Sequence, residues 1–400
     1  MSTQPDLTID RDYLVATLQA LVRINSVNPT LSAGGGGEAE IAAYTAAALR
    51  DLGLEVTLYD VEPGRPNVVG RLRGSGQGSG RASHGRSLLL NAHMDTVGVD
   101  GMTIDPFDPV IRDGRLYGRG SQDMKGSLAA MLAAAKALVD ADAPLNRDLL
   151  VTAVADEEYA SIGSADLVRR PEFHADAAIV TEPTDLTLCR AHRGFIWYQV
   201  DTLGRAAHGS RYAEGIDANM RMGRFLAELD LLEQALRQRD PHPLAGPPSL
   251  HAATLQGGTE LSIYAAHCRL QLERRTIPGE TEAQATRELQ VILDRLAAAD
   301  PTFKATLSAF FRRDPFEVAA DAPLVGHVAQ AAARRLGRPP AHTGQTFWTD
   351  AALFAAAGME TLLIGPSGAG LHSAVEWVDL DSVVDLAAIL ADTILLTVNG

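Results

Sequence analysis

The chain has 400 residues, more than one ordinary domain and enough for two, and 46% of them are apolar, so a large core can be buried. Its formal net charge of −15 argues against a nucleic-acid surface, which needs a basic stripe. The two cysteines, Cys189 and Cys268, are far apart and lack metal-type spacing, which argues against a disulfide framework and points to a reducing cytoplasm.

The opening MSTQPDLTIDRDYL has no basic region followed by an apolar stretch, so no signal peptide is expected. No apolar run is long enough to span a bilayer, and no membrane partner is expected. RDYLVATLQALVRI and EAEIAAYTAAALRDLG carry apolar residues at helical spacing. EVTLYDV, NVVGRLRG and SLLLNAH read as strands. The Gly/Ser-rich stretch at 74–85 reads as a solvated loop. MKGSLAAMLAAAKALVDA is an alanine-rich helix suited to close packing on a sheet, and RDLLVTAVADEE and DAAIVTEP are two buried strands that run out into acids. Strands alternating with helices predict an α/β layer fold with a mostly parallel sheet.

The pattern changes near residue 190. FIWYQVDTLG reads as a strand, EGIDANMRMGRFLAELDLLEQAL as a long amphipathic helix, and HAATLQGG and LSIYAAHCRLQLERRT as strands. TEAQATRELQVILDRLAAAD is a helix and FKATLSAF a strand. The order β-α-β-β-α-β is the split βαβ unit of ferredoxin-like domains. After residue 320 the helix–strand alternation resumes through ETLLIGPSG to SVVDLAAILADTILLTV. The sequence therefore predicts a discontinuous first domain, residues 1–190 and 313–400, interrupted by a smaller domain over 191–312.

In open α/β sheets, functional groups gather at the carboxyl ends of the strands. His93 and Asp95 end one strand, Asp123 precedes the alanine-rich helix, and Glu157 and Glu158 follow VTAVAD. Glu182 ends AAIVTEP, and His372 follows ETLLIGPSG. Each has an ordinary structural use. An H-x-D pair is commonly a satisfied polar corner, Asp123 could cap the helix after it, and acids suit a helix N-terminus. All of them on one rim point instead to a divalent metal site. His93 and Glu182 could hold one ion, Glu158 and His372 a second, and Asp123 could bridge. Asp95 is then a candidate to orient the His93 ring from behind. Glu157 is left over, a free carboxylate placed to act as general base. Without cations these carboxylates would repel one another and their pKa values would rise.

NAHMDTV, YGRGSQDMKG, ADEE, TEP, GRAAHGS, RRTIPGE and GLHSAVEW stand in the order seen in a known family. Nearly the whole chain resembles the dinuclear zinc amidohydrolases that include acetylornithine deacetylase, succinyl-diaminopimelate desuccinylase, aminoacylase and glutamate carboxypeptidase. The resemblance implies a zinc-exopeptidase-like catalytic domain with an inserted lid that dimerises. It implies His93, Asp123, Glu158, Glu182 and His372 as ligands of two divalent ions, zinc first, with cobalt or manganese as alternatives. It further implies Asp123 as the bridge, with a cis peptide to Met124, Asp95 behind the first histidine, and Glu157 as the base. His208 matches a lid histidine that reaches the partner subunit's active site, and Arg275 the arginine that binds a substrate carboxylate. The chain departs from the family at Ser121–Gln122, at Asp217 where asparagine is frequent, and at Val375 where a polar residue is frequent.

The resemblance implies metal-dependent hydrolysis of a small N-acyl amino acid, acetylornithine deacetylase-like, by a homodimer. A carboxypeptidase or dipeptidase, or a succinyl-diaminopimelate desuccinylase, would use the same centre. A binding protein that kept the fold has no need of Glu157 together with the full ligand set. Strand alternation places Arg274 on the face opposite Arg275, where it serves structure or solubility.

Overall fold

Residues 7–76 and 85–400 are described by the computed structural model. The first six residues of the opening segment, and residues 77–84 of the Gly/Ser-rich stretch with His84, lie outside them. Contacts divide the chain into two units: Met1–Arg190 with Val318–Thr343 and Thr349–Gly400, and Ala191–Glu317 with Gly344–Trp348. The sequence pattern alone ended the insert at residue 312. Among the described residues no helix is long and apolar enough to cross a membrane.

The first unit opens with α1 (Arg11–Arg23) and α2 (Ala39–Asp51). The Asp10 side chain accepts the Tyr13 N–H and caps α1, which turns Leu14, Leu18, Leu21 and Val22 inward. β1 (Glu55–Glu62) and β2 (Arg65–Leu72) pair antiparallel across a two-residue turn at Pro63–Gly64. β3 (Leu88–His93) follows, then the short strands β4 (Ile111–Arg112) and β5 (Arg115–Tyr117). A single π-turn, Ser121–Lys125, leads into α3 (Gly126–Asp140). Next come β6 (Leu149–Val154), α4 (Ile162–Leu167), β7 (Ala177–Val180) and β8 (Leu188–His192).

The second unit holds β9 (Gly194–Leu203), α5 (Ala218–Arg237), β10 (Ser249–Gly257), β11 (His267–Thr276), α6 (Glu282–Ala299) and β12 (Lys304–Arg313). After β13 (Phe316–Glu317) the chain forms α7 (Pro323–Leu336), β14 (His342–Gln345), α8 (Ala351–Ala356) and β15 (Glu360–Leu363). It ends with β16 (Gly368–Ala369), β17 (Trp377–Asp379) and α9 (Leu380–Asn399).

The main sheet runs β1-β2-β6-β3-β7-β15-β8-β13. Its centre, β6-β3-β7-β15, is parallel, as expected of strands connected through helices. LLLNAH, LLVTAV and AAIV are buried at every position, which is why they lack apolar–polar alternation. The flanking pairs β1-β2, β2-β6, β15-β8 and β8-β13 are antiparallel. A two-residue connection cannot return a strand in parallel, and that sets the β1-β2 edge. α3 packs against α1 and α9, and its runs of alanine let the backbones approach closely. The small sheet β16-β17-β5-β4 was not read from the sequence, since two- and three-residue strands carry no period.

The second unit is a four-stranded antiparallel sheet, β10-β11-β9-β12, with α5 and α6 packed on one face. Alternate residues Ile196, Tyr198 and Val200 of β9 meet Phe225 and Leu229 of α5 and Leu289 and Leu293 of α6 in its core. Thr281 and Gln284 close a capping box at the start of α6. Asp217, the departure noted above, caps α5 by accepting the N–H groups of Asn219 and Met220. The strand expected over residues 261–276 forms only at His267–Thr276.

Candidate metal centre

Five of the residues singled out from the sequence converge at the carboxyl edge of the parallel strands. His93 is the last residue of β3 and is buried. Its Nε2 lies 3.1 Å from Asp123 Oδ1 and 3.9 Å from Glu182 Oε1. His372, on an exposed turn after β16, has its Nε2 3.3 Å from Asp123 Oδ2 and 3.1 Å from Glu158 Oε2. The two oxygens of Asp123 thus address two different imidazoles. Two donor groups result, His93–Asp123–Glu182 and Asp123–Glu158–His372, each with its ligand atoms within 4.8 Å of one another. The Asp123–Met124 peptide is cis.

The chain by itself leaves this cluster unsatisfied. Burial raises the pKa of Glu157, Glu158 and Glu182, and repulsion from neighbouring acids adds to it. Burial would also raise Asp123, but hydrogen bonds from His372 and His93 outweigh it and hold that carboxyl below its usual range. Hydrogen bonds to Asp123 and Glu158 push His372 up to about 10. Burial opposes charge on His93, yet its bond to Asp123 and the nearby acids raise its pKa as well. Glu158 Oε1 is buried without a hydrogen-bond partner among the described residues. Nitrogen and carboxylate donors, a shared carboxylate and an orphaned buried oxygen together fit two divalent cations.

Two further carboxylates hold the loops that carry these donors. Asp95 is fully buried and accepts from Asn28 Nδ2 (2.8 Å) and from the backbone N–H groups of Glu157 (3.1 Å) and Glu158 (3.3 Å). The sequence reading put the Asp95 carboxylate behind the His93 ring. In the structure His93 Nδ1 bonds the Asp95 backbone carbonyl at 2.9 Å, with the carboxylate 3.6 Å away. Behind this loop Asn28 also reaches Asp156, which pairs with Arg65, and Arg65 forks onto Glu38. At the other loop, Glu376 accepts from Arg119 Nη1 (2.8 Å) and from the backbone N–H groups of Gly120, Gln122 and Asp123. Gly365 lies against the third donor loop, where a Cβ would sit 2.1 Å from the Glu182 carbonyl oxygen.

Sequence reasoning missed Asn28, Glu38, Arg65, Asp350 and Glu376. None stands at a strand end beside another acid or imidazole, so no local signal marked them. Glu376 sits in the quoted GLHSAVEW and Asp350 in FWTD, but only the fold shows what they face. Asp350 accepts from Ser164 Oγ at 2.5 Å, and burial pushes it up to about 6.

Replacing Glu376 by Ala would strand Arg119 and three backbone donors in the interior. Breaking one side of a buried pair costs about 3–5 kcal/mol, so Glu376→Ala is expected to lower stability by that order. Denaturant titration measures the loss, and elemental analysis is expected to show metal lost with it. Unchanged stability and metal content would refute the anchoring role of Glu376.

Glu157 joins neither donor group. Its backbone is fixed by Asp95 while its side chain remains beside Glu182 and His93. His208 and Arg275 belong to the second unit. His208 is exposed, with Nδ1 2.8 Å from Ser210 Oγ. Arg275 on β11 pairs with Glu273 at 2.6 Å. Arg274 turns to the other face, where it is buried and bonded to Glu280 and Glu288.

A family described as Peptidase family M20/M25/M40 matches residues 89–396. Over 319 residues the chain is 32% identical to an acetylornithine deacetylase from Myxococcus xanthus, covering 79% of this chain and 80% of that one. It is 28% identical over 425 residues to N-formyl-4-amino-5-aminomethyl-2-methylpyrimidine deformylase from Bacillus subtilis, covering 98% and 96%. A tripeptidase structure from Staphylococcus aureus superposes with a TM-score of 0.79 at 21% identity, covering 98% of this chain and all of that one.

Proposed function

This chain belongs to peptidase family M20/M25/M40 and is a metallohydrolase of amide C–N bonds, and from that premise we propose that its substrate is a small N-acyl amino acid, cleaved in the manner of an acetylornithine deacetylase. The observation that carries the two-metal mechanism is Asp123, shared between two donor groups with Glu157 outside both, and the likeness to an acetylornithine deacetylase is what favours the acyl amino acid. His93 and Glu182 would hold one cation, Glu158 and His372 the other, and Asp123 both. When bound, two divalent cations polarise an amide carbonyl and make water a stronger acid. Glu157 takes the proton of the attacking water and delivers it to the leaving nitrogen. Asp95 keeps Glu157 in place through the backbone rather than by touching substrate. His208, supplied across a homodimer by the partner subunit, donates to the oxyanion that develops on the carbonyl. The reaction is assigned to the cytoplasm.

Arg275 grips the carboxylate beside the scissile amide, for which a planar fork is suited. Its Nε is committed to Glu273, which leaves the outer nitrogens to face a ligand. The metal-loaded protein is expected to hydrolyse N-acetyl amino acids in preference to N-succinyl amino acids and dipeptides. Arg275→Ala is expected to cut kcat/KM strongly on free acids and only slightly on the matched methyl esters. Equal losses on acid and ester would remove Arg275 from the site, and inertness towards the whole panel would refute the substrate class.

A further inference from the structure

The sheet of the second unit has one face packed by helices and one open face, and the open face is divided by chemistry. At one end it is polar: Asp201 accepts from Gln199, His267 and Arg269. At the other end it is aromatic. Phe195 and Trp197 alternate with the core residues of β9, and a bulge in β12 sets Phe311 opposite Trp197. The ring centroids lie 4.9 Å apart for Trp197–Phe311, 5.4 Å for Phe195–Trp197 and 5.8 Å for Phe195–Phe311. Trp197 is nonetheless 37% exposed, so the cluster is a surface and not the unit's core.

Positive charge flanks this surface in excess. The Arg275 guanidinium lies 5.1 Å from the Phe195 centroid and pairs with Glu273, which also accepts the Trp197 indole N–H at 2.8 Å. Arg193 donates its Nε to the Ala245 carbonyl at 2.7 Å and ion-pairs with no acid among the described residues. Burial and the nearby charge of Arg275 both lower its pKa. Arg193 lies two residues before Phe195, whose register partner is Arg275, so the two arginines share one end of the sheet beside an aromatic wall, while the carboxylate of Glu273 pairs with Arg275 from the side of Trp197. That excess suits an anion and opposes a second cation. Cations also lie over the ring faces already, Arg275 over Phe195 and Arg313 at 4.4 Å over Phe311, so a basic side chain gains little there.

We infer that this end of the sheet is a specificity subsite for an N-acyl aromatic amino acid, in which Arg193 joins Arg275 in holding the carboxylate and Phe195, Trp197 and Phe311 pack against the aromatic side chain. The inference rests on the proposed reading of Arg275 as the carboxylate ligand. It goes beyond that reading in adding Arg193 and in choosing an aromatic over a basic side chain.

Calorimetric titration of the metal-loaded protein with 3-phenylpropanoate and propanoate isolates the subsite, because neither probe has an amide to cleave. Wild-type protein is expected to bind the phenyl acid about tenfold tighter or more, the increment that burying a ring against aromatic neighbours supplies. Phe311→Ala, and separately Trp197→Leu, should bring the ratio of the two affinities towards one. Arg193→Met should weaken both acids by a similar factor and leave the ratio in place. Equal binding of the two acids by the wild type, or a ratio unmoved in both folded aromatic variants, overturns the aromatic subsite. Unchanged affinities in Arg193→Met overturn the role of Arg193. Turnover of the N-acetyl panel is read separately. Hydrolysis without ring preference sinks this inference alone, whereas ring-selective binding without hydrolysis of any N-acyl amino acid supports the subsite and sinks the substrate reading above.

Discussion

Glu157→Gln is expected to retain its metal and lose roughly 10²–10⁴-fold or more in kcat, the range associated with removal of a positioned general base. The amide keeps the side chain's size but cannot take a proton. The backbone N–H of residue 157 still reaches Asp95, so the loop is expected to hold its shape. Glu158→Gln should behave differently. It removes charge from a donor group of Asp123, Glu158 and His372, and its first effect is expected on metal content. Steady-state kinetics and elemental analysis on both variants decide the matter. The opposite pairing of defects would reverse the roles assigned to the two glutamates.

Removal of metal is expected to abolish amide hydrolysis, with zinc, cobalt or manganese restoring it. The ligands come from chain segments as distant as residues 93 and 372, so tight binding belongs to the folded state alone. Without cations, His93 and His372 hold protons between the acids, and at neutral pH those protons must leave before the ring nitrogens can bind metal. Loading at pH 7 is therefore expected to release protons, measurable in weakly buffered solution, and affinity should fall as the pH is lowered. Metal should also stabilise the fold, by about 2.7 kcal/mol at a free concentration one hundred times Kd. Full turnover by protein shown to be metal-free would falsify the mechanism.

Much of this centre is legible along the chain because strands and helices advertise themselves locally. A run such as LLLNAH is apolar throughout, so it reads as a buried strand, and its last residue must emerge at the sheet's edge. His93, Glu158 and Glu182 follow from that rule, and Asp123 from its place before α3. The split βαβ order of the second unit follows from the change of period near residue 190.

The antiparallel edges of the main sheet, the contacts that hold the donor loops and the open face of the second unit were decided elsewhere. Neither the Asp95 contact with residues 157 and 158 nor the Glu376 contact with Gly120 leaves a trace in local spacing, the second spanning 256 residues. A backbone N–H carries no residue identity, so a carboxylate that serves one cannot be recognised from its partner's type. For the same reason Asp95 reads as a ring-orienting acid in sequence while in space it secures a loop. Burial works similarly: the raised pKa values of Glu157, Glu158 and Glu182 come first from desolvation, which exists only once the chain has closed around them. The sequence by itself determined which groups are available to hold a metal, because residue type sets ligand chemistry. It also offers Asp123 as a bridge and Glu157 as the acid left over; only the tertiary structure decided the distances that put Asp123 in both donor groups and Glu157 in neither, because separations between segments are never specified by the chain's local preferences.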